Sequence, residues 1–76
     1  MISINEFINV FKESFDELKS EVKPSSKYKE LEEWTSMQAL ILTAHIDDTL
    51  HIVLSTDDYK ETSTIQELYQ KIVSKL

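Results

Sequence analysis

The residue in this chain best placed to do chemistry is a serine. Ser36 lies in the stretch EEWTSMQAL, residues 32–40, after a lone tryptophan and before a run of helix-forming apolar residues. Thr35 and Gln38 fit the T-x-x-Q form of a capping box, so a helix is predicted to start at Thr35 with Ser36 as the first residue inside it. There the hydroxyl stands near backbone N–H groups that have no intrahelical partner. The positive end of the helix dipole also favours a phosphodiester on such a hydroxyl. Serine is equally common at helix starts for structural reasons, so type and position alone leave both roles open.

Two other groupings can be weighed against it. His45, Asp48 and His51 are spaced by three, and a helix could bring them near one another. Three potential ligands with no readable supporting shell make solvated histidines on a helix flank the simpler reading, and no metal site is assigned. His45 follows Ser36 by nine residues, more than two turns along one helix, too far for a direct hydrogen bond. The chain has no glycine to build an oxyanion hole or a phosphate loop, and no cysteine. Thiol nucleophiles, disulfides and zinc–thiolate sites are therefore excluded. No catalytic residue is assigned, and the protein is not expected to be an enzyme.

The elements that must position Ser36 are marked by caps and periodicity. Ser3 and Glu6 form an S-x-x-E capping box, with Ile2 and Phe7 at the positions of a hydrophobic staple. Ile4, Phe7, Ile8, Phe11, Phe15, Leu18 and Val22 then recur at helical spacing, predicting a first helix of about five turns that ends before Pro24. Residues 24–34, PSSKYKELEEW, form a long first loop, which Tyr28, Leu31 and Trp34 pin to the core. The second helix should run to Thr49 or Leu50. A wheel at 100° per residue separates two apolar ridges on it. Ala39, Leu42, Ile46 and Leu50 should face the core. Met37, Ile41 and Ala44, continued by Asp48, form a second ridge, with Leu40 between the two. A core helix needs one ridge, so the other packs on the loop or waits for a partner. His51 to Leu54 reads as an extended connection, since a lone strand has nothing to pair with. Ser55 caps a short third helix through Tyr59, whose acids suit its positive end. Ser63 and Gln66 offer a box for the last helix, with Ile65, Leu68, Tyr69, Ile72 and Leu76 as its stripe. The expected architecture is one all-α domain over residues 1–76, a four-helix bundle with a long first loop and a short third helix.

Length and charge narrow the partners. A chain of 76 residues buries about 60% of its unfolded surface, enough for one core but not for a deep enclosed active site. Fourteen acids face eight basic residues, all lysine, for a formal net charge of −6. Such a surface repels phosphate backbones and lacks arginine forks, so nucleic acid and anionic membranes are poor partners and a basic protein surface a good one. No apolar run approaches the roughly 20 residues of a membrane span, and the N-terminus lacks the pattern of a signal peptide. A soluble, cytoplasmic protein is expected.

The order of helices, the long first loop and the motif Thr35-Ser36-Met37 resemble the acyl carrier protein family over nearly the whole chain. The likeness continues through ALILTAHIDDTL, through Leu54-Ser55-Thr56-Asp57-Asp58 and into Ser63-Thr64-Ile65. The family motif is D-S-L, so Thr35 replaces its aspartate and Met37 its leucine. Ile41 stands where the family usually has an acid, while Asp47 and Asp48 remain. The resemblance implies that Ser36 carries 4′-phosphopantetheine, taken from coenzyme A, as a phosphodiester. It implies a phosphoprotein whose arm holds acyl or aminoacyl groups as thioesters, as in fatty acid biosynthesis and other lipid metabolism. Its implied partners are a phosphopantetheinyl transferase and acyl-activating or acyl-transferring enzymes. These would dock on the face formed by Met37, Ile41, Ala44, Asp47 and Asp48 of a monomeric carrier. The alternative is an unmodified carrier-like helical module that binds a partner through the same ridge.

Overall fold

The structure is a computed structural model and describes residues 2–76. Among these, four α-helices form: α1 (Ile4–Glu13), α2 (Ser36–Leu50), α3 (Thr56–Lys60) and α4 (Ile65–Ser74). A single 3₁₀ turn, Tyr28–Glu30, interrupts the connection between α1 and α2. No strand is present among the described residues; one isolated antiparallel bridge joins Lys27 to Thr64. The expectation of an all-helical protein with a short third helix therefore holds at that level. Among the described residues, no helix is long and apolar enough to cross a membrane.

α1 starts as its cap predicts. Ser3 Oγ accepts from the Glu6 N–H and the Glu6 carboxylate accepts from the Ser3 N–H. Phe7 and Phe11, one turn apart, are fully buried. The predicted continuation to Val22 does not form, and α1 ends at Glu13. Ser14 Oγ donates to the Phe11 carbonyl at 2.7 Å, competing with the helical ladder. The Gln38 amide donates to both the carbonyl (3.2 Å) and the hydroxyl (3.0 Å) of Ser14. The Ser14 carbonyl would have received the N–H of Leu18 in a continuing helix; here it is occupied by a side chain from α2. Phe15 remains buried, and Leu18 and Val22 pack on the core from a loop.

The loop that follows is longer than predicted and carries its own hydrogen bonds. Glu33 accepts from the Lys19 N–H and the Ser20 hydroxyl. The carbonyls of Ser26 and Pro24 accept from Ile65 and Gln66, the first two N–H groups of α4. These donors have no partner inside the helix, so the loop serves as part of the α4 cap. The remainder of that cap is Thr64 with Glu67, one residue beyond the predicted Ser63–Gln66 pair. Both spacings fit the box, but the Glu67 carboxylate accepts two N–H groups, from Ser63 and Thr64. A charged acceptor makes the stronger bond, and these contacts hold the Glu67 carboxyl below the usual range.

Tyr28, Phe7, Phe11, Leu42, Ile46, Ile65, Leu68 and Ile72 are fully buried and form the centre of one apolar cluster. Each side chain contributes about 1.5–3 kcal/mol of transfer free energy. The connection 52–54 alternates like a strand, with Ile52 and Leu54 buried and Val53 exposed, but among the described residues it pairs with no other segment.

Candidate functional site

α2 presents three faces, where the sequence distinguishes two ridges. Gln38, Leu42 and Ile46 are buried against the core. Ala39 and Leu50, expected in the core, are only half-buried, and the polar Gln38 takes the buried position. Gln38 lies there because its side chain holds Ser14, so the predicted capping box is only half formed. Thr35 Oγ1 accepts from the Gln38 N–H at 3.0 Å, but the Gln38 amide points to α1 instead of returning to Thr35.

The second face is exposed. Met37 is 68% and Ile41 44% accessible, and Ala44, Asp47 and Asp48 are also exposed. Met37 and Ile41 therefore stay exposed and are not buried beneath the first loop. Met37, Ile41, Ala44 and Asp48 follow one line along the helix, whereas Asp47 falls about 100° away from Asp48.

The third face consists of Ser36, Ala39, Leu40 and Thr43, at the i, i+3, i+4, i+7 spacing of a single helix side. It borders an open groove of about 680 Å³. Trp34, Thr35 and Lys29 wall the groove from the loop, and Leu54, Ser55, Thr56 and Tyr59 wall it from α3 and the residues before it. Ser36 is exposed at this rim, in the first turn of α2.

Hydrogen bonds fix the α2–α3 side of the groove. The Thr43 and Tyr59 hydroxyls are 2.7 Å apart, and the Ala39 carbonyl lies within reach of both, 2.8 Å from Thr43 Oγ1 and 3.4 Å from Tyr59 OH. Burial pushes the Tyr59 phenol above its ordinary pKa, partly opposed by the bond to Thr43. Behind it, Tyr59, Tyr28 and Trp34 form an aromatic triangle with centroid separations of 5.0 to 6.4 Å. Tyr28 OH is 2.6 Å from Thr62 Oγ1. Lys29 Nζ donates to the Tyr59 carbonyl at 2.8 Å, placing a cation at the loop side of the groove.

The charges at the helix starts differ. α1, α3 and α4 each carry an acid in the first turn: Glu6, Asp57 with Asp58, and Glu67. α2 carries none. The positive end of its dipole is therefore not offset by a local carboxylate, and Ser36 is the exposed hydroxyl within that turn.

The histidine grouping does not assemble. Among the described residues, no three His, Cys, Asp or Glu side chains come close enough to hold a metal ion. His51 closes α2 in the left-handed region at φ 58°, and its N–H donates to the Asp47 carbonyl. His45 Nε2 is buried without a hydrogen-bond partner, which nothing in the surrounding structure explains.

Ser36, Thr35 and the exposed ridge are legible from sequence. Trp34, Leu40, Thr43, Leu54 and Tyr59 are not singled out as a site, because the groove draws on three segments whose juxtaposition no local pattern encodes. Leu40, 71% exposed with no place on either predicted ridge, is the available signal. Comparison with family models, with curated proteins and with solved structures finds no match to this chain.

Proposed function

We propose that this protein is a carrier of the acyl-carrier type, an acyl-carrier-like bundle whose Ser36 accepts 4′-phosphopantetheine from coenzyme A. The observation carrying this reading is the joint setting of Ser36: exposed, in an acid-free first turn, at the rim of a groove. A phosphodiester fits there because unpaired N–H groups and the dipole favour its negative charge. Ser36 Oγ would attack the coenzyme A phosphorus joined to pantetheine. The new Ser–O–P bond replaces the pyrophosphate P–O bond, adenosine 3′,5′-bisphosphate leaves, and the serine proton passes to a base of the transferase. When attached, the arm supplies a thiol that carries an acyl group as a thioester.

The chain's own residues then tether and present. Thr35 sets the start of α2 through its bond to the Gln38 N–H. Met37, Ile41 and Ala44 offer apolar area beside the tether, and Asp47 and Asp48 steer basic partners, meaning a phosphopantetheinyl transferase and acyl-activating or acyl-transferring enzymes. A tether raises the local concentration of cargo at each partner. The exposed row Met37, Leu40 and Ile41 also favours a second reading, an unmodified module that binds a partner protein directly.

Intact-mass measurement separates the two. With coenzyme A and a broad-specificity transferase, the wild type should gain one phosphopantetheine mass, and folded Ser36→Ala should gain none. A wild type left unmodified by several transferases sinks the carrier reading; a modified Ser36→Ala places the arm on another residue.

A further inference from the structure

Resting on the carrier reading, the groove beside Ser36 also constrains the cargo. Thr43 lies seven residues beyond Ser36 on the same helix face, about 10 Å along the axis. An arm on Ser36 that folds back along the groove brings its acyl group to the Thr43–Tyr59 pair.

The protons of that pair can be counted. Thr43 and Tyr59 bring one O–H each. Thr43 Oγ1 has the Ala39 carbonyl at 2.8 Å and Tyr59 OH at 2.7 Å, while Tyr59 OH has the Ala39 carbonyl at 3.4 Å. Either Thr43 donates to Ala39 and Tyr59 to Thr43, or Tyr59 donates to Ala39 and Thr43 to Tyr59. In both arrangements both protons are used within the trio. What the pair has left to offer is acceptor lone pairs.

We propose that the groove selects a short acyl group bearing a hydroxyl, whose O–H donates to the Thr43–Tyr59 pair. A long unbranched alkyl chain fits less well. Tyr59 packs on Tyr28 and Trp34 in the groove wall, and the groove is open to solvent, so a long tail would lie along an open surface. An ammonium would also supply donors, but Lys29 in the groove wall and the positive end of α2 oppose a second cation.

The test compares matched loads. The protein is loaded through a transferase from 3-hydroxybutyryl-, butyryl- and dodecanoyl-coenzyme A, and loading is checked by mass. Cleavage of each thioester by neutral hydroxylamine is measured relative to the corresponding coenzyme A thioester, alongside the melting temperature of each loaded form. The 3-hydroxybutyryl load should be protected about two- to tenfold more than butyryl, the range of one net neutral hydrogen bond, and should melt higher. In Tyr59→Phe with Thr43→Val the advantage of 3-hydroxybutyryl over butyryl should vanish. Equal protection of the two short loads in the wild type overturns the proposal without recourse to a variant. So does greater protection of dodecanoyl, or an advantage that persists in the folded double variant. Failure to load any acyl group overturns the carrier reading and this proposal with it. Loading without discrimination overturns the cargo class alone.

Discussion

Ile41 and Ile46 are five residues apart on α2 and stand in opposite environments, the first 44% exposed and the second fully buried. Replacing Ile46 with Ala removes buried atoms and leaves a cavity, which should cost about 2–5 kcal/mol. Ile41→Glu removes far less buried packing and should cost much less, about 0.5 kcal/mol. If Ile41 belongs to the docking face, the same variant should take the arm normally yet transfer cargo poorly to its enzyme. Chemical denaturation together with a partner-transfer assay checks both halves. A marked loss of stability in Ile41→Glu would move that residue into the core, and wild-type transfer would move docking elsewhere. Sequence periodicity makes this distinction legible because it depends on where each residue falls around one helix.

At the scale of elements, starts were more legible than ends. Ser3 with Glu6, Thr35, and Ser55 with Asp58 all cap where local pattern places them, because a cap is a contact among neighbours. The end of α1 is set by Gln38, 24 residues away, and no local rule anticipates it. Phe15, Leu18 and Val22 keep helical spacing and still pack from a loop, since burial requires only that they reach the core. The α4 cap shifted by one residue because two overlapping boxes competed and the carboxylate prevailed. The groove, built from loop, α2 and α3, is legible only in its Ser36 corner. The reach of Gln38 has a measurable consequence. Gln38→Ala leaves the Ser14 carbonyl buried without the Gln38 amide and should destabilise the protein by about 1–3 kcal/mol. Gln38→Glu, which cannot donate, should not restore it. Denaturant midpoints of the two variants decide this; a wild-type midpoint for either would show that the bond does not hold the junction.

Across the whole molecule, the C-terminal helix is fastened by polar contacts of long reach. Tyr69 OH donates to the Ile2 carbonyl at 2.7 Å, and Lys75 Nζ lies 3.2 Å from the Asp58 carboxylate. Asp58 also accepts the Ser55 N–H, and this bond first, then Lys75, holds its carboxyl below the usual aspartate range. A carboxyl with a lowered folded pKa stabilises above its unfolded value, about 3.9, and loses that contribution as pH falls through the folded value. Asp58→Asn should therefore melt below wild type at neutral pH, and the gap should begin to narrow near about pH 4 and close as pH falls through the folded value. Melting curves from pH 7 to pH 2 give the comparison; a gap that stays constant into strong acid would mean that the carboxylate charge contributes nothing. The lowered Glu67 and Glu33 carboxyls act in the same direction, so the variant should retain part of the acid sensitivity.

The left-handed turn at His51 is the single positive φ among the described residues, in a chain with no glycine at all. Each residue therefore carries a Cβ, and the disordered chain samples fewer backbone states than a glycine-bearing chain of equal length. The disorder surrendered on folding is correspondingly smaller, and for a domain of this size that difference matters. A left-handed L-residue costs about 1–2 kcal/mol. The protein accepts that strain at one helix end and keeps a narrower disordered ensemble along the rest of its length.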